Sequence, residues 1–273
     1  MAVLTSFVGS LRHTGWTLER FGLTPGKVRY RVSDPGAPKV LCVSIPKAGT
    51  HLLERALCLQ PQLYRKLLPT ISEENIERWG GFDELLSRVR PGQVLASHLR
   101  FRPEYPAILD SRQVRGIFLI RDPHDIVVSQ AHYVLKRRDH RAHDLFAGLP
   151  DMKARLRVAI TGDPTHHLPS IGERLDFFAG WLGPSLVIRF EDLVGPGGGG
   201  SLAAQSAAIA SIYDHLGVLV DTASLSSICA RLFSTESPTF RQGAAQGWKS
   251  VFNDDLEALF DEEAGESCLP YGY

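Results

Sequence analysis

Four short apolar runs stand out from the more polar sequence around them: Lys39–Ile45, Gln93–His98, Gln113–Ile120 and Ser185–Phe190. Aliphatic and β-branched residues dominate these runs, and no clear alternation of polar and apolar positions interrupts them. Such runs are typical of strands in a parallel sheet that is covered on both faces. The pattern therefore predicts a central parallel sheet.

Helical periodicity fills most of the sequence between and after these runs. The predicted helices cover His51–Leu59, 71–90, a stretch that starts at Pro123, Met152–Ile160, 202–216, 222–233 and 254–264. Asp122 can cap the helix that starts at Pro123, and proline suits a first helical turn. The remainder of 136–170 is charged and rich in histidine, so we predict irregular structure there.

The alternation of strands with helices predicts the fold class. This order is typical of an α/β fold with right-handed crossovers, a central parallel sheet and flanking helices. We predict a single domain over residues 1–273, with its core at about 39–263. Residues 1–38 form an N-terminal lead-in that ends in the turn-rich SDPGAPK.

Composition narrows the possible partners. The chain has 273 residues, of which 44% are hydrophobic, so it can bury a substantial core. Its 30 basic residues balance its 30 acidic residues, which argues against a general binder of nucleic acid. Any site for an anion must therefore be local, and we expect no nucleic-acid partner.

Cysteine usage and hydropathy bear on the compartment. The cysteines show neither paired nor metal-like spacing: Cys42, Cys58, Cys229 and Cys268. We therefore expect a reduced, cytoplasmic protein. The N-terminal MAVLTSFVGSLRHTGW is broken by Arg12 and His13, and no window is long and apolar enough for a membrane span. We expect no membrane insertion.

Histidines in the charged segment raise the question of a metal site. Their spacing does not match a helical or finger-type ligand set: His140, His143, His166 and His167. An exposed loop accounts for them better than zinc does. We therefore expect no metal.

The stretch VSIPKAGTHLL contains the first candidate chemistry. It joins the first predicted strand to a helix, and this arrangement directs backbone N–H groups and the helix dipole at a bound phosphate. Gly49 would let the backbone approach the anion, Lys47 adds charge and Thr50 adds a hydroxyl donor. A plain strand-to-helix turn with a surface lysine remains the alternative.

Two further segments could bind a second phosphate. Arg121 ends a predicted strand, and Ser129 follows eight residues later, about two helical turns on, so both can face the edge that holds Lys47. The alternative is a surface Arg–Asp pair and an ordinary helix serine. Near the C-terminus, Arg241 and Gly243 lie in FRQGAAQGWK, which could fold over an anion or simply be a loop.

Together, in this order, these segments resemble the sulfotransferases that use 3′-phosphoadenosine-5′-phosphosulfate (PAPS). The family's Pro-Lys-x-Gly-Thr loop, which binds the 5′-phosphosulfate, reads Pro46-Lys47-Ala48-Gly49-Thr50 here. The resemblance assigns Arg121 and Ser129 to the 3′-phosphate, and it adds the late segment with Arg241, Gln242, Gly243, Trp248 and Lys249. A Glu191-Asp192 pair after a strand also matches. The resemblance implies a P-loop-like domain and covers about residues 39–263.

The same resemblance singles out His98 as the general base. In the family a histidine follows a short strand some two dozen residues before the 3′-phosphate arginine, and His98 lies 23 residues before Arg121. A histidine with a near-neutral pKa at the carboxyl edge of a sheet can accept a hydroxyl proton. Taken alone, a single histidine is more often structural.

The chain departs from the family pattern at several positions. Ala96 stands where many members have a lysine that contacts the transferred group, so Lys47 or another cation must take over. His51-Leu52 replaces a Thr-Trp pair, which removes an adenine-stacking aromatic and makes His51 a second candidate for proton handling. Phe190 could supply part of that packing. In the late segment Gln246-Gly247 precedes Trp248, so the usual second glycine is displaced.

The expected function is transfer of a sulfuryl group from PAPS to an acceptor hydroxyl, or to an amine, by in-line displacement, with 3′-phosphoadenosine-5′-phosphate (PAP) as the other product. Lys47 and His98 are the expected catalytic residues. Loop residues Ala48 to Leu52 would bind the donor. The rivals are a P-loop kinase or NTPase, and a non-catalytic nucleotide-binding scaffold. We expect a small-molecule, lipid or natural-product acceptor, and the sequence leaves the oligomeric state open.

Overall fold

The structure, a computed structural model, describes residues 14–233 and 245–273. Within these ranges one parallel sheet has its strands in the order β2-β4-β1-β5-β6, with β3 also beside β4. The strands are β1 Lys39–Ser44, β2 Tyr64–Arg65, β3 Ile71–Ser72, β4 Gln93–His98, β5 Val114–Ile120 and β6 Leu186–Arg189. The predicted fold class, an α/β fold with a central parallel sheet and flanking helices, is confirmed.

Helices cover both faces of the sheet. Residues 14–20 are helical (α1), and the other helices are α2 Pro25–Ser33, α3 Thr50–Cys58, α4 Gly81–Ser87, α5 Tyr105–Arg112, α6 Pro123–Lys136, α7 His143–Gly148, α8 Met152–Thr161, α9 Ile171–Ala179, α10 Phe190–Leu193, α11 Leu202–Leu216, α12 Thr222–Leu232 and α13 Asp254–Cys268. Side chains of β1 alternate between two core clusters: Leu41 and Val43 join one, and Val40 and Cys42 join the other. Burial on both faces explains the continuous apolar run.

Strand register brings the functional segments together. Val43 of β1 lies opposite Ser97 of β4 and Phe118 of β5. The three strands therefore end at nearly the same level, and in a parallel sheet their carboxyl ends share one edge. The loop after β1, the end of β4 and the loop after β5 all meet there.

The predicted helix over 71–90 is wrong in its first half. Ile71–Ser72 forms β3 beside β4, a short 3₁₀ turn covers Ile76–Trp79, and the α-helix occupies only Gly81–Ser87. Gly80 and Gly81 both have a φ of 82°, a left-handed conformation that ends any preceding helix. The apolar spacing of the segment comes from packing on the sheet edge.

The segment between α6 and β6 is more regular than predicted. Besides the predicted helix α8, it contains α7 and α9, and α5 lies earlier in a stretch for which we predicted no element. Helix α9 begins with a capping box, in which the Ser170 side chain accepts from the Glu173 N–H and Glu173 accepts from the Ser170 N–H. The predicted β6 ends early, because Phe190 already begins α10.

Two expectations about composition can be compared with the described residues. The four cysteines are all buried and unpaired with one another. In the described ranges, the helices are too short or too polar to span a lipid bilayer.

Asp122 caps α6 as predicted, because its side chain accepts from the His124 N–H at 2.9 Å.

Candidate functional site

A cleft of about 1090 Å³ opens at the carboxyl edge of the sheet. Its lining includes most of the described residues that the sequence singles out: Pro46, Lys47, Gly49, Thr50, His51, Leu52, His98, Arg121, Ser129 and Phe190. They come from the loops after β1 and β5, from the end of β4 and from helices α3, α6 and α10. The structure thus brings together residues that lie up to 144 positions apart, from Pro46 to Phe190.

The loop after β1 is held in an unusual backbone conformation. Lys47 has a φ of 79° and Gly49 a φ of 110°, a region that side chains disfavour. A Cβ on Gly49 would lie only 2.6 Å from Cδ2 of Phe190. Glycine is needed here because the loop packs directly on the Phe190 ring, whereas the sequence suggested only close approach to an anion. Ala48 is fully buried behind the loop.

Three side chains form a hydrogen-bonded group where β1 and β4 end. Oγ of Ser44 lies 2.6 Å from Oγ1 of Thr50, and Nδ1 of His98 lies 2.8 Å from the backbone oxygen of Ser44. Burial lowers the pKa of His98 to about 4, against the Ser44 hydrogen bond, which raises it. The nearby His51 and Lys47 lower it further. His98 is therefore neutral near pH 7.

Lys47 is a cation without a carboxylate partner in the described part of the chain. Its Nζ lies 3.7 Å from the centroid of the Tyr133 ring, a cation–π contact that orients the side chain. Burial, and after it the charges of Arg121 and Arg137, lower the pKa of Lys47 to about 8. A bound anion would offset the cost of this desolvation, because an opposite charge stabilises the ammonium. The position of Lys47 therefore suits an anion.

Arg121 leaves the end of β5 and reaches back to the loop. Its Nη1 donates to the Lys47 carbonyl oxygen at 3.3 Å, and its Cζ lies 4.2 Å from the centroid of the Phe190 ring. Nη2 is also 3.6 Å from Oδ2 of Asp125, so the alternative of an Arg–Asp pair is partly realised. Unlike a surface pair, however, Arg121 is largely buried, with 10% of its side chain exposed, and lines the cleft with Ser129.

No family model matches the chain, and no curated protein matches it. Solved structures do. A mouse sulfotransferase complexed with PAP (SULT7A1) matches with a TM-score of 0.60 and 18% identity over 92% of this chain and 94% of that one. A retinol dehydratase in complex with androsterone and PAP matches with a TM-score of 0.57 and 15% identity, over 89% and 85% of the two chains. The chain has a sulfotransferase fold.

The late segment is anchored beside Arg121 on the sulfotransferase fold. Asp125 accepts from the backbone N–H groups of Gln246 at 2.8 Å and Trp248 at 3.0 Å, and the indole N–H of Trp248 donates to Asp122 at 2.7 Å. The ring of Trp248 stacks on His124 with centroids 4.3 Å apart. Trp248 thus anchors the segment, and neither Trp248 nor Lys249 belongs to the described cleft lining.

The other residues assigned to this segment lie outside the described residues. They are Arg241, Gln242 and Gly243. The described chain stops at Phe233, which lines the cleft, and resumes at Ala245, whose N–H donates to the Gly198 oxygen at 2.9 Å. The assignment of Arg241 to the 3′-phosphate stays a prediction.

His51 belongs to a buried ionic network. Its Nδ1 lies 3.1 Å from Oε2 of Glu54, which also pairs with Arg20 at 2.7 Å and with Arg65. Burial opposes ionisation of Glu54, but the His51 hydrogen bond and the charges of Arg65 and Arg20 outweigh it and lower its pKa. With 46% of its side chain exposed, His51 faces the cleft, held by a carboxylate on its other side.

The sequence missed the contribution of the N-terminal lead-in. Trp16, Thr17, Arg20 and Phe21 line the cleft, so part of 1–38 belongs to the site and is not a mere lead-in. Cζ of Arg55 lies 4.5 Å from the Trp16 ring centroid. A tryptophan in a short, otherwise polar helical stretch was the available signal.

The position of Ala96 offers no substitute for the absent lysine. Ala96 is 1% exposed and lies beside Cys42 inside the sheet. Cations at other points of the cleft include Arg100, Arg137 and Arg141. Of these, Arg137 pairs with Asp139 at 2.6 Å, and Arg141 lies 3.5 Å from Glu74. Lys47 therefore remains the cation next to the loop that lacks an acidic partner in the described chain.

The region between α6 and β6 supplies an apolar part of the cleft lining: Leu168, Pro169, Phe177 and Phe178. His140 also lines the cleft, whereas His143 contacts the Val134 oxygen at 3.1 Å. Within 14–233 and 245–273, no group of three or more His, Cys, Asp or Glu side chains is arranged so that it could hold a metal ion.

Proposed function

We propose that the protein is an enzyme that transfers a sulfuryl group from PAPS to an acceptor hydroxyl, or to an amine. The observation that carries this proposal is the convergence of Lys47, Thr50, His98, Arg121 and Ser129 on one cleft. Each of these residues has a separate task in such a reaction. They meet on a fold shared with sulfotransferases that were crystallised with PAP.

The residues around the loop after β1 fit a phosphosulfate. The loop leads into the N-terminus of α3, whose free N–H groups and dipole favour an anion. Lys47 adds a desolvated ammonium and Thr50 a hydroxyl, with His51 and Leu52 completing the proposed contact surface. Ala48, also predicted to bind the donor, is buried outside the cleft lining, and its N–H donates to the Ile45 oxygen at 3.0 Å. PAPS would supply the sulfuryl group there and leave as PAP.

Arg121 and Ser129 are the proposed ligands of the 3′-phosphate. Both line the cleft beyond the loop, and the guanidinium of Arg121 is held by the Lys47 oxygen and the Phe190 ring. A preorganised guanidinium suits phosphate because its N–H groups form a rigid fork. Arg241, Gln242 and Gly243 are proposed to complete this subsite.

His98 is the proposed general base. Its Nδ1 donates to Ser44, so in the neutral ring Nε2 carries the lone pair that can accept the acceptor's hydroxyl proton. The acceptor oxygen then forms a bond to sulfur, and the bond from sulfur to the bridging phosphate oxygen breaks. Lys47 is placed to stabilise the negative charge that develops on that oxygen.

A calorimetric titration tests the donor class. We expect PAP to bind tightly and ATP to bind weakly, because the loop ends in Gly49-Thr50-His51 and lacks the Gly-Lys-Ser/Thr ending of ATP-binding loops. Tight binding of ATP with no binding of PAP would favour a kinase or NTPase.

Transfer of labelled sulfate from PAPS to a panel of alcohols, phenols and amines then distinguishes an enzyme from a scaffold.

Further proposals concern the setting of the reaction. The single sheet of the described chain, with core clusters on both faces, supports one domain over 1–273. The buried, unpaired cysteines favour a reducing compartment such as the cytoplasm. The apolar lining residues Leu168, Pro169, Phe177 and Phe178 support a small-molecule, lipid or natural-product acceptor.

A further inference from the structure

Arg174 is a buried cation among the residues that line the cleft. It lies on α9, is 5% exposed and forms part of the cleft lining. Its Nη2 donates to the Ala159 oxygen at 3.0 Å, and its Nε lies 3.4 Å from the Ser170 oxygen. The Nη1 atom has no hydrogen-bond partner in the described chain. The Nη1 end of the guanidinium is therefore buried with its hydrogen-bond donors unsatisfied.

No carboxylate lies within 4 Å of Arg174 among the described residues. Several other cations at the cleft have such partners: Arg20 pairs with Glu54, Arg137 with Asp139 and Arg141 with Glu74. A buried charge without a counter-ion is strongly unfavourable, because its desolvation is not compensated. Burial alone accounts for the lowered pKa of Arg174, about 10, because no neighbouring charge raises it.

The surroundings of Arg174 define what could pair with it. Phe177 and Phe178 follow Arg174 by three and four residues on α9 and therefore share its helix face. With Leu168 and Pro169 they are apolar members of the cleft lining. Cζ of Arg100 lies 3.6 Å from the Phe177 ring centroid, so this ring is held in place from one side. A ligand with an apolar body and one anionic group would match both the rings and the unsatisfied guanidinium donors.

We propose that Arg174 binds an anionic group of the acceptor, so that the enzyme acts on hydroxy acids with an apolar body. This inference rests on the proposed function, because it assigns the acceptor class of the same cleft. The carboxylate would accept hydrogen bonds from the guanidinium of Arg174, whose buried Nη1 must become exposed when the ligand binds, while the apolar body packs on the rings of α9. The hydroxyl to be sulfated would then point away from the carboxylate, toward His98.

A purely structural role for Arg174 predicts no difference between the binding of an acid and that of its ester. The Ala159 oxygen belongs to the last turns of α8, where a cation is favourable, and Ser170 caps α9, so Arg174 also joins the two helices. Arg155 is a matched control. It donates to the Phe146 oxygen at 2.8 Å and the Leu149 oxygen at 2.7 Å, but it is not part of the cleft lining.

The test compares hydroxy acids with their methyl esters. In the presence of saturating PAP, binding of 3-(4-hydroxyphenyl)propionate, 12-hydroxydodecanoate and their methyl esters is measured by calorimetry for the full chain. A charge-assisted hydrogen bond predicts that the wild type binds at least one acid at least about tenfold more tightly than its ester. Arg174→Gln should abolish this preference, Arg174→Lys should keep part of it, and Arg155→Gln should leave it unchanged.

Two results would overturn the inference: equal binding of both acids and their esters by the wild type, or an acid preference that survives in Arg174→Gln. If Arg174→Gln does not fold, as judged by its thermal transition, Arg174→Lys replaces it, and a preference equal to that of the wild type then contradicts the inference. Failure of PAP to bind would instead overturn the proposed function. The acid and ester comparison can still be read in that case.

Discussion

Nδ1 of His98 lies 2.8 Å from the backbone oxygen of Ser44, the last residue of β1. Because a carbonyl oxygen can only accept, the proton of the neutral ring sits on Nδ1 and Nε2 is left as an acceptor. The contact therefore sets the tautomer that a general base needs. It also ties His98 to the strand from which the Lys47 loop departs.

Replacement of His98 by asparagine should lower kcat without weakening donor binding. Loss of a general base costs about 10²- to 10⁴-fold in rate, whereas PAP affinity should stay within about twofold because His98 does not carry the phosphate contacts. Sulfate transfer from labelled PAPS and calorimetry with PAP measure the two quantities. His140→Asn changes another histidine of the cleft and should leave kcat near the wild-type value. Full turnover by His98→Asn would disprove the base assignment.

The pH profile of kcat/KM should be bell-shaped, with its acidic limb set by His98 and its alkaline limb set by Lys47. Burial lowers the pKa of His98 to about 4, so the base form persists down to that pH, and protonation abolishes activity below it. Lys47, with a pKa of about 8, loses its charge above that pH, so activity falls there. We expect the profile of kcat to extend to higher pH, since a bound anion raises the pKa of Lys47.

Initial rates across this range in buffers of constant ionic strength check the profile. An acidic limb near the ordinary histidine pKa of about 6.5 would contradict the buried environment of His98. The variant Lys47→Arg keeps its charge at high pH, so its alkaline limb should disappear if Lys47 is the titrating group.

The sequence was sufficient to predict that Lys47, His98 and Arg121 lie together. Each follows a strand with a clear apolar run, and parallel strands bring their carboxyl ends to one edge. The cleft contribution of Trp16 had only the tryptophan itself as a local signal, because the position of α1 depends on contacts such as that of Arg20 with Glu54, 34 residues away. Such contacts leave no periodic pattern. The burial of Arg174 likewise follows from packing of α9 that no local signal encodes.

Gly49→Ala should weaken PAP binding more than an unfavourable backbone conformation alone would weaken it. The alanine would combine an unfavourable φ of 110° with a Cβ 2.6 Å from the Phe190 ring, so the loop must shift. We expect an increase in Kd of at least about tenfold, equal to about 1.4 kcal/mol. Gly217→Ala is the control, because its φ is 68° but no atom lies within 4 Å of the added Cβ. It should cost some stability and leave PAP affinity unchanged.

Trp16 should supply aromatic stacking that Leu52 does not. Both side chains pack against the same core cluster, together with Phe233, at the α3 side of the cleft. Stacking of a base on an aromatic ring contributes about 1–3 kcal/mol, so Trp16→Ala should raise the Kd for PAP about tenfold and Trp16→Phe much less. Trp79→Ala, outside the cleft lining, is the control. Unchanged PAP affinity in Trp16→Ala would exclude α1 from the donor site.

Lys27→Met should destabilise the fold without a direct effect on chemistry. Lys27 of α2 is 3% exposed, and its ammonium donates to the Cys58, Leu63 and Gln60 oxygens, the last at 2.8 Å. These carbonyls lie at and beyond the end of α3, where a cation also complements the helix dipole. Methionine fills similar space but leaves the acceptors buried and unsatisfied, so we expect a loss of at least about 3 kcal/mol.

Urea unfolding of Lys27→Met against Lys39→Met checks this expectation. Lys39 donates to one carbonyl, that of Arg112 at 3.1 Å, and is only partly buried, so its replacement should cost about 1 kcal/mol. PAP affinity, extrapolated to fully folded protein, should be the same for both variants. If Lys27→Met were as stable as Lys39→Met, the Lys27 ammonium would not be what holds α2 against the end of α3.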